Sequence, residues 1–156
     1  MFQQNFHRRL AITLSGIGLL DLAISLSGCS APNLAQTERK RPQPSEAETH
    51  KAYRSDAAKH LYSLNHPQIF KGKLPPLLHA VAVVRVEIAE NGDLKNIDWM
   101  RKPTHAPDVV TEIERKIRAA EPFPAPARLG ALTYTETWLW HKSGFFQLDT
   151  LTEGQT

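Results

Sequence analysis

Residues 81–100 read VAVVRVEIAENGDLKNIDWM. The first half, with His79 and Ala80 before it, is rich in β-branched residues and alternates. Val84, Val86 and Ile88 fall on one face of a strand, Arg85 and Glu87 on the other. Asn91-Gly92 is a strong hairpin signal, because a two-residue type I′ turn needs positive φ at both central positions. A second strand follows from Leu94 to Met100, with Ile97 and Trp99 on one face. Strands joined so tightly are antiparallel.

Helical patterns flank this hairpin. Upstream, residues 50–64 place Tyr53, Ala57, Leu61 and Leu64 at helical spacing, and Asn65 with Pro67 ends the run. Pro75 and Pro76 keep the next loop out of a central strand. Downstream, Pro107 suits a first helical position, and Asp108 and Glu112 favour the N-terminal half of the dipole. Val110, Ile113, Ile117 and Ala120 form the apolar stripe. Arg115, Lys116 and Arg118 complement the C-terminal half, before Pro122, Pro124 and Pro126. Residues 131–140, ALTYTETWLW, alternate again: Leu132, Tyr134, Trp138 and Trp140 on one side, Thr133, Thr135 and Thr137 on the other. His141 to Gly144 signals a turn, and Phe145 to Leu148 a last short strand. The predicted fold is α+β, with two layers: an antiparallel three- to four-stranded sheet with two helices on one face.

The N-terminus reads differently. Arg8 and Arg9 precede an apolar run of 17 residues, Leu10 to Leu26, and then Ser27-Gly28-Cys29. A positive start, an apolar core and small residues before a cut site mark a secretory signal. Leu26-Ser27-Gly28-Cys29 resembles a bacterial lipobox, which implies cleavage before Cys29 and lipid on its thiol. Cys29 is the only cysteine, so it has no disulfide partner within the chain. Two or more acyl chains anchor stably. An uncleaved anchor competes with this reading, but Asp21 interrupts the run, at a cost of about 2.5–3.5 kcal/mol at mid-membrane. A core helix would leave Arg8, Arg9 and the lipobox unexplained. Ser30, where an Asp would imply retention in the inner membrane, favours the outer membrane by the same resemblance. The chain divides as signal peptide 1–28, flexible tether 29–49 and domain 50–156. The tether is polar and Pro-containing, and its roughly 20 residues span at most ~70 Å.

Residues 81–126, with Gly92 at the turn, Val110, Ile113 and Ile117 on the helix, and Phe123-Pro124 with Pro126 at its exit, resemble the C-terminal domain of TonB-family proteins. Leu74-Pro75-Pro76 stands where that family often has Tyr-Pro, and the likeness extends over roughly 72–141. TolA C-terminal domains share the architecture. The resemblance implies a periplasmic protein that is not an enzyme and whose sheet edge accepts an extended peptide, from an outer-membrane receptor or another envelope protein. Carried onto this chain, the accepting edge is Thr133, Tyr134, Thr135, Glu136, Thr137, Trp138, Leu139 and Trp140. Three departures stand against energy transduction. There is no long Pro-rich spacer, cleavage would remove the helix that receives force, and residues 145–148 can fold back on the accepting edge. An energy transducer with an uncleaved anchor, and a structural envelope lipoprotein without a receptor, are the alternatives.

Other chemistry lacks its motifs. Removing residues 1–28 lowers the net charge from +3 to +2, and the basic residues are scattered, so nucleic acid is not a partner. Arg39-Lys40-Arg41 reads as a solvated run. His7, His50, His60, His66, His79, His105 and His141 show no metal-ligand spacing. Ser55, Asp56 and His60 share one short helix without a strained turn or oxyanion loop. No catalytic residue, metal site or cofactor is expected, and the sequence leaves the oligomeric state open.

Overall fold

The structure, a computed structural model, describes residues 40–156. The signal peptide and Cys29 lie outside the described residues. Helix α1 (His50–Asn65) precedes strands β1 (Ala80–Ile88) and β2 (Leu94–Arg101). Helix α2 (Pro107–Ala119) leads to β3 (Leu132–Trp140) and β4 (Phe146–Leu148). The strands form one open antiparallel sheet in the order β2-β1-β3-β4. The fold is α+β, with both helices contributing to the single core on one face of the sheet.

Alternation builds that core. Val84, Val86 and Ile88 of β1 are buried, as are Leu132, Tyr134, Trp138 and Trp140 of β3. Tyr53, Ala57, Ala58 and Leu61 face them from α1, and Val109, Ile113 and Ile117 from α2. Each large aliphatic side chain so buried contributes about 1.5–3 kcal/mol. Phe146 joins the two tryptophans, with its ring 4.8 Å from Trp138 and stacked at 5.3 Å on Trp140. On the opposite face, Arg85 donates to Asp98 at 3.0 Å.

The hairpin differs from the two-residue turn expected of Asn91-Gly92. Ala89 N–H donates to Asp93 C=O at 2.9 Å, and Gly92 N–H to Ala89 C=O at 2.9 Å. The loop therefore has three residues, Glu90 to Gly92, and Gly92 takes the left-handed position at φ 88°. Such loops pair a turn with a following residue of positive φ, the place glycine fills.

The tether expected to run to residue 49 is corrected at its C-terminal end. Ser45 N–H donates to Ala125 C=O at 2.8 Å, Ala127 N–H donates to Ser45 C=O at 3.3 Å, and Ser45 and Ala47 are buried. Arg41 donates to Asn91 C=O at 3.1 Å, and Arg128 pairs with Glu46 and Glu48. Thr49 caps α1, its hydroxyl accepting from Ala52 N–H at 3.2 Å. Apart from the Thr49 cap, these partners are about fifty to eighty residues away in sequence, so local composition gave no sign of them. The described residues, 40–156, form one compact unit that holds the core seen among them.

Lys116 is the other exception. The sequence assigns it to the helix dipole, yet its side chain is fully buried. Its ammonium donates to Asn65 Oδ1 at 2.9 Å and to Gln68, lies 3.2 Å from Glu112, and sits 5.3 Å over the Phe146 ring. Burial lowers its pKa, and Glu112 opposes that.

Candidate functional site

The two sides of β3 can be told apart by their hydrogen bonds. Trp140 C=O accepts from His79 N–H at 2.9 Å, so the backbone of even-numbered β3 residues points to β1. His141 N–H donates to Phe145 C=O at 2.9 Å, so the backbone of odd-numbered residues points the other way. Thr133, Thr135, Thr137 and Leu139 therefore present their amides and carbonyls to the outer edge.

That edge is closed at one end. β4 pairs with Trp138, Leu139 and Trp140, so these three do not offer a free edge. The far side of β4 is covered too. Phe70 N–H donates to Phe146 C=O at 2.9 Å, and Leu148 N–H to Tyr62 Oη at 3.0 Å. Trp138 is fully buried and Trp140 nearly so, which places both in the core, whereas Phe145 is 40% exposed.

Glu136 sets the boundary. It is a carboxylate on the buried face of an otherwise apolar row, only 1% exposed. Its Oε1 accepts from the Thr137 amide at 3.0 Å and from the Thr150 amide at 3.4 Å, and pairs with Arg54 Nη2 at 2.9 Å. Arg54 also reaches Asp149 at 3.2 Å. Burial disfavours the Arg54 cation, but Glu136 and Asp149 more than offset it and its pKa is raised. Burial and then Glu136 push the Tyr134 phenol well up. Arg54 Nε, Tyr134 Oη, Glu136 Oε2 and Thr150 Oγ1 are buried without a hydrogen-bond partner among the described residues.

The open part of the edge is thus Thr133 and Thr135. A cleft of about 290 Å³ lies there, lined by His50, Lys51 and Arg54 of α1 and Thr133, Tyr134 and Thr135 of β3. Within the expected edge, Thr133 and Thr135 have no strand partner on their outer side among the described residues, Tyr134 faces the core, and Glu136 with Thr137 makes the stop. The sequence missed His50, Lys51 and Arg54, whose part depends on α1 lying beside β3. It held a sign of Glu136: a carboxylate in phase with four buried side chains.

β2 is the other sheet edge. It carries Lys95, Asp98 and Arg101, and its pairing with β1 shifts register twice. Charges and bulges of this kind discourage a further strand.

Residues with reactive side chains are engaged elsewhere. Asp56 accepts from Ser45 Oγ at 2.7 Å, and His60 Nε2 lies 2.7 Å from Ala120 C=O. His105 Nε2 lies 2.9 Å from His79 C=O. Among the described residues, no group of three or more His, Cys, Asp or Glu side chains is placed to hold a metal ion, and no helix is long and apolar enough to cross a membrane.

No protein-family model matches the chain, and no curated protein or solved structure matches it either.

Proposed function

We propose that the chain is a lipid-anchored, peptide-binding module of the bacterial cell envelope, not an enzyme, facing the periplasm from the outer membrane. In this reading Cys29 carries the lipid and the free edge of β3 takes up an extended segment of an envelope protein by strand addition, as the TonB-family resemblance implies. One observation carries the binding half: Thr133 and Thr135 turn unpaired backbone groups outward beside a cleft whose other wall is α1. Two residues offer four hydrogen bonds, so the added segment is short. Lys51 at the cleft suits an acidic side chain on it.

The tie of Arg41 to the β1–β2 loop bears on reach. Eleven residues, 30–40, lie between Cys29 and Arg41, which span at most ~40 Å. That distance suits a partner close to the anchoring membrane and argues against bridging two membranes.

Two experiments test the proposal. Mass spectrometry of the protein from envelopes is expected to show a lipid-modified N-terminal cysteine, lost in Cys29→Ala; an intact Met1 would refute the anchor. A photo-crosslinker at position 135 is expected to trap a partner in cells, and one at position 95 on β2 is not. No product at 135 would refute strand addition. A second reading, a structural lipoprotein without a receptor, is favoured by β4 covering Trp138–Trp140. It would be preferred if the crosslinker at 135 trapped nothing or only a second copy of the chain.

A further inference from the structure

The end of the sheet remote from the β1–β2 hairpin collects exposed cations and exposed apolar tips on separate loops. Leu77, following Pro75 and Pro76, is 86% exposed, the most exposed large apolar side chain among the described residues. Phe145, on the β3–β4 turn, is 40% exposed. Contacts join the loops into one surface. His105 Nε2 lies 2.9 Å from His79 C=O, which brings the β2–α2 loop to the start of β1. The rings of Phe70 and His141 lie 4.9 Å apart, which brings the segment before β1 to the β3–β4 turn. Two depressions open on this surface, one of about 560 Å³ beside Leu77 and Lys142, the other of about 490 Å³ beside Phe70, Lys71 and Phe145.

The charge at this end is one-sided. Lys71, Arg101, Lys102 and Lys142 are exposed, and none of them is in an ion pair among the described residues. Lys102 rests 5.7 Å over the Trp99 ring. The acids nearby are Asp108 and Glu153, and Glu153 is held by the Gly72 amide at 3.0 Å. At the hairpin end most of the charge is matched instead: Arg41 pairs with Asp93, and Arg128 with Glu46 and Glu48, while exposed Lys95 stands without an ion pair among the described residues.

We propose that this loop end docks on an anionic membrane surface, with Leu77 and Phe145 entering the interface while Lys71, Lys102 and Lys142 meet the headgroups. Cations attract to anionic lipid and apolar side chains gain by leaving water, and the two together hold a protein at an interface where either alone is weak. Isolated tips on separate loops suit a yielding lipid surface better than a rigid protein partner. The site lies at the opposite end of β3 from Thr133 and Thr135 and does not depend on strand addition.

The test uses residues 40–156, which hold the core among the described residues, in flotation with phosphatidylcholine vesicles made with and without phosphatidylglycerol. Binding is expected only with phosphatidylglycerol and is expected to fall as salt is raised. Combined Lys71→Glu, Lys102→Glu and Lys142→Glu should weaken it by more than about tenfold. Leu77→Ser should weaken it by about tenfold with charge unchanged. Lys95→Glu, an exposed cation on β2, should leave it as it was. Absence of binding at low salt overturns the proposal, as does equal weakening by Lys95→Glu. Equal binding to soluble polyglutamate, insensitive to Leu77→Ser, overturns it in favour of an acidic macromolecule.

Discussion

The Phe123 backbone lies directly against the α-carbon of Gly92. Phe123 N–H donates to Gly92 C=O at 2.8 Å, and a β-carbon at position 92 would come within 2.1 Å of the Phe123 carbonyl oxygen. Glycine is required here twice over, by its φ of 88° and by this approach. Gly92→Ala is expected to cost about 3 kcal/mol or more, since the obstacle is backbone and cannot rotate away. Gly72→Ala, at φ 81° with nothing within 4 Å, should cost only about 1–2 kcal/mol. Urea unfolding of both variants checks the difference.

Proline at position 135 separates folding from binding. The Thr135 amide points away from β1, so no ladder bond is lost, and Thr135→Pro should destabilise by about 1 kcal/mol or less. The same change at Tyr134, whose amide faces β1 and whose ring is in the core, should cost well over about 3 kcal/mol, since a ladder bond and a buried aromatic side chain are both lost. With the photo-crosslinker placed at position 133 instead, Thr135→Pro is expected to abolish the trapped partner if strand addition occurs, while the melting temperature stays close to wild type. A trapped partner at wild-type yield would exclude this edge.

Glu136 tests the stop. Glu136→Ala removes the acceptor of two amides and the partner of Arg54. Arg54 is partly solvated and keeps Asp149, so a loss of about 2 kcal/mol is expected, less than for a fully buried pair. Glu136→Gln retains an oxygen acceptor and should lose about half as much. Chemical denaturation of the pair decides whether the cap or the charge dominates.

Lys116 and Glu112 should respond unequally to mutation. Lys116→Met fills the same volume without a buried charge and is expected to cost less than about 1 kcal/mol. Glu112→Ala leaves the buried ammonium with only the amide oxygens of Asn65 and Gln68, and should cost more, about 2 kcal/mol. If Lys116→Met proves the more harmful, its hydrogen bonds rather than its packing hold α2 to the end of α1.

Glu112 also sets an acid dependence. Arg115 and Lys116, against some burial, draw its pKa down to about 2 from an ordinary 4.5. A carboxylate lowered on folding stabilises fully above its ordinary pKa, and that contribution is lost as pH falls through the folded value. Wild-type stability should therefore drop between about pH 4.5 and pH 2 more steeply than that of Glu112→Gln. Urea midpoints at several pH values would show parallel curves if Glu112 contributes nothing.

The elements were legible because their signals are local. Alternation in residues 80–88 and 132–140 set both central strands, and Val110, Ile113 and Ile117 set α2. What stayed hidden depends on residues far apart in sequence. Ser45 looked like linker because its partners are Ala125 and Ala127. Lys116 read only as complementing the helix dipole because Asn65 and Gln68, which satisfy it, lie beyond another element. Arg54 gave no sign of its place at the cleft until α1 was set beside β3. Even the turn at Asn91-Gly92 was misread by one residue, since the Phe123 backbone that crowds Gly92 comes from the exit of α2.

The clasp at Ser45 also determines where tension would go. Its amide, its carbonyl and its hydroxyl are all engaged, the last with Asp56 at 2.7 Å. A tug arriving along the chain from the N-terminal side meets the two backbone bonds to Ala125 and Ala127 and, through the hydroxyl, the second turn of α1 at Asp56 before it reaches the helix N-terminus. His50, Lys51 and Arg54, one wall of the cleft, lie behind the clasp. Drag on the leash is thus shared between the proline-bordered loop at residue 126 and the body of α1 at Asp56, and the N-terminal turn that walls the cleft beside Thr133 and Thr135 is not pulled from its own end while the clasp holds.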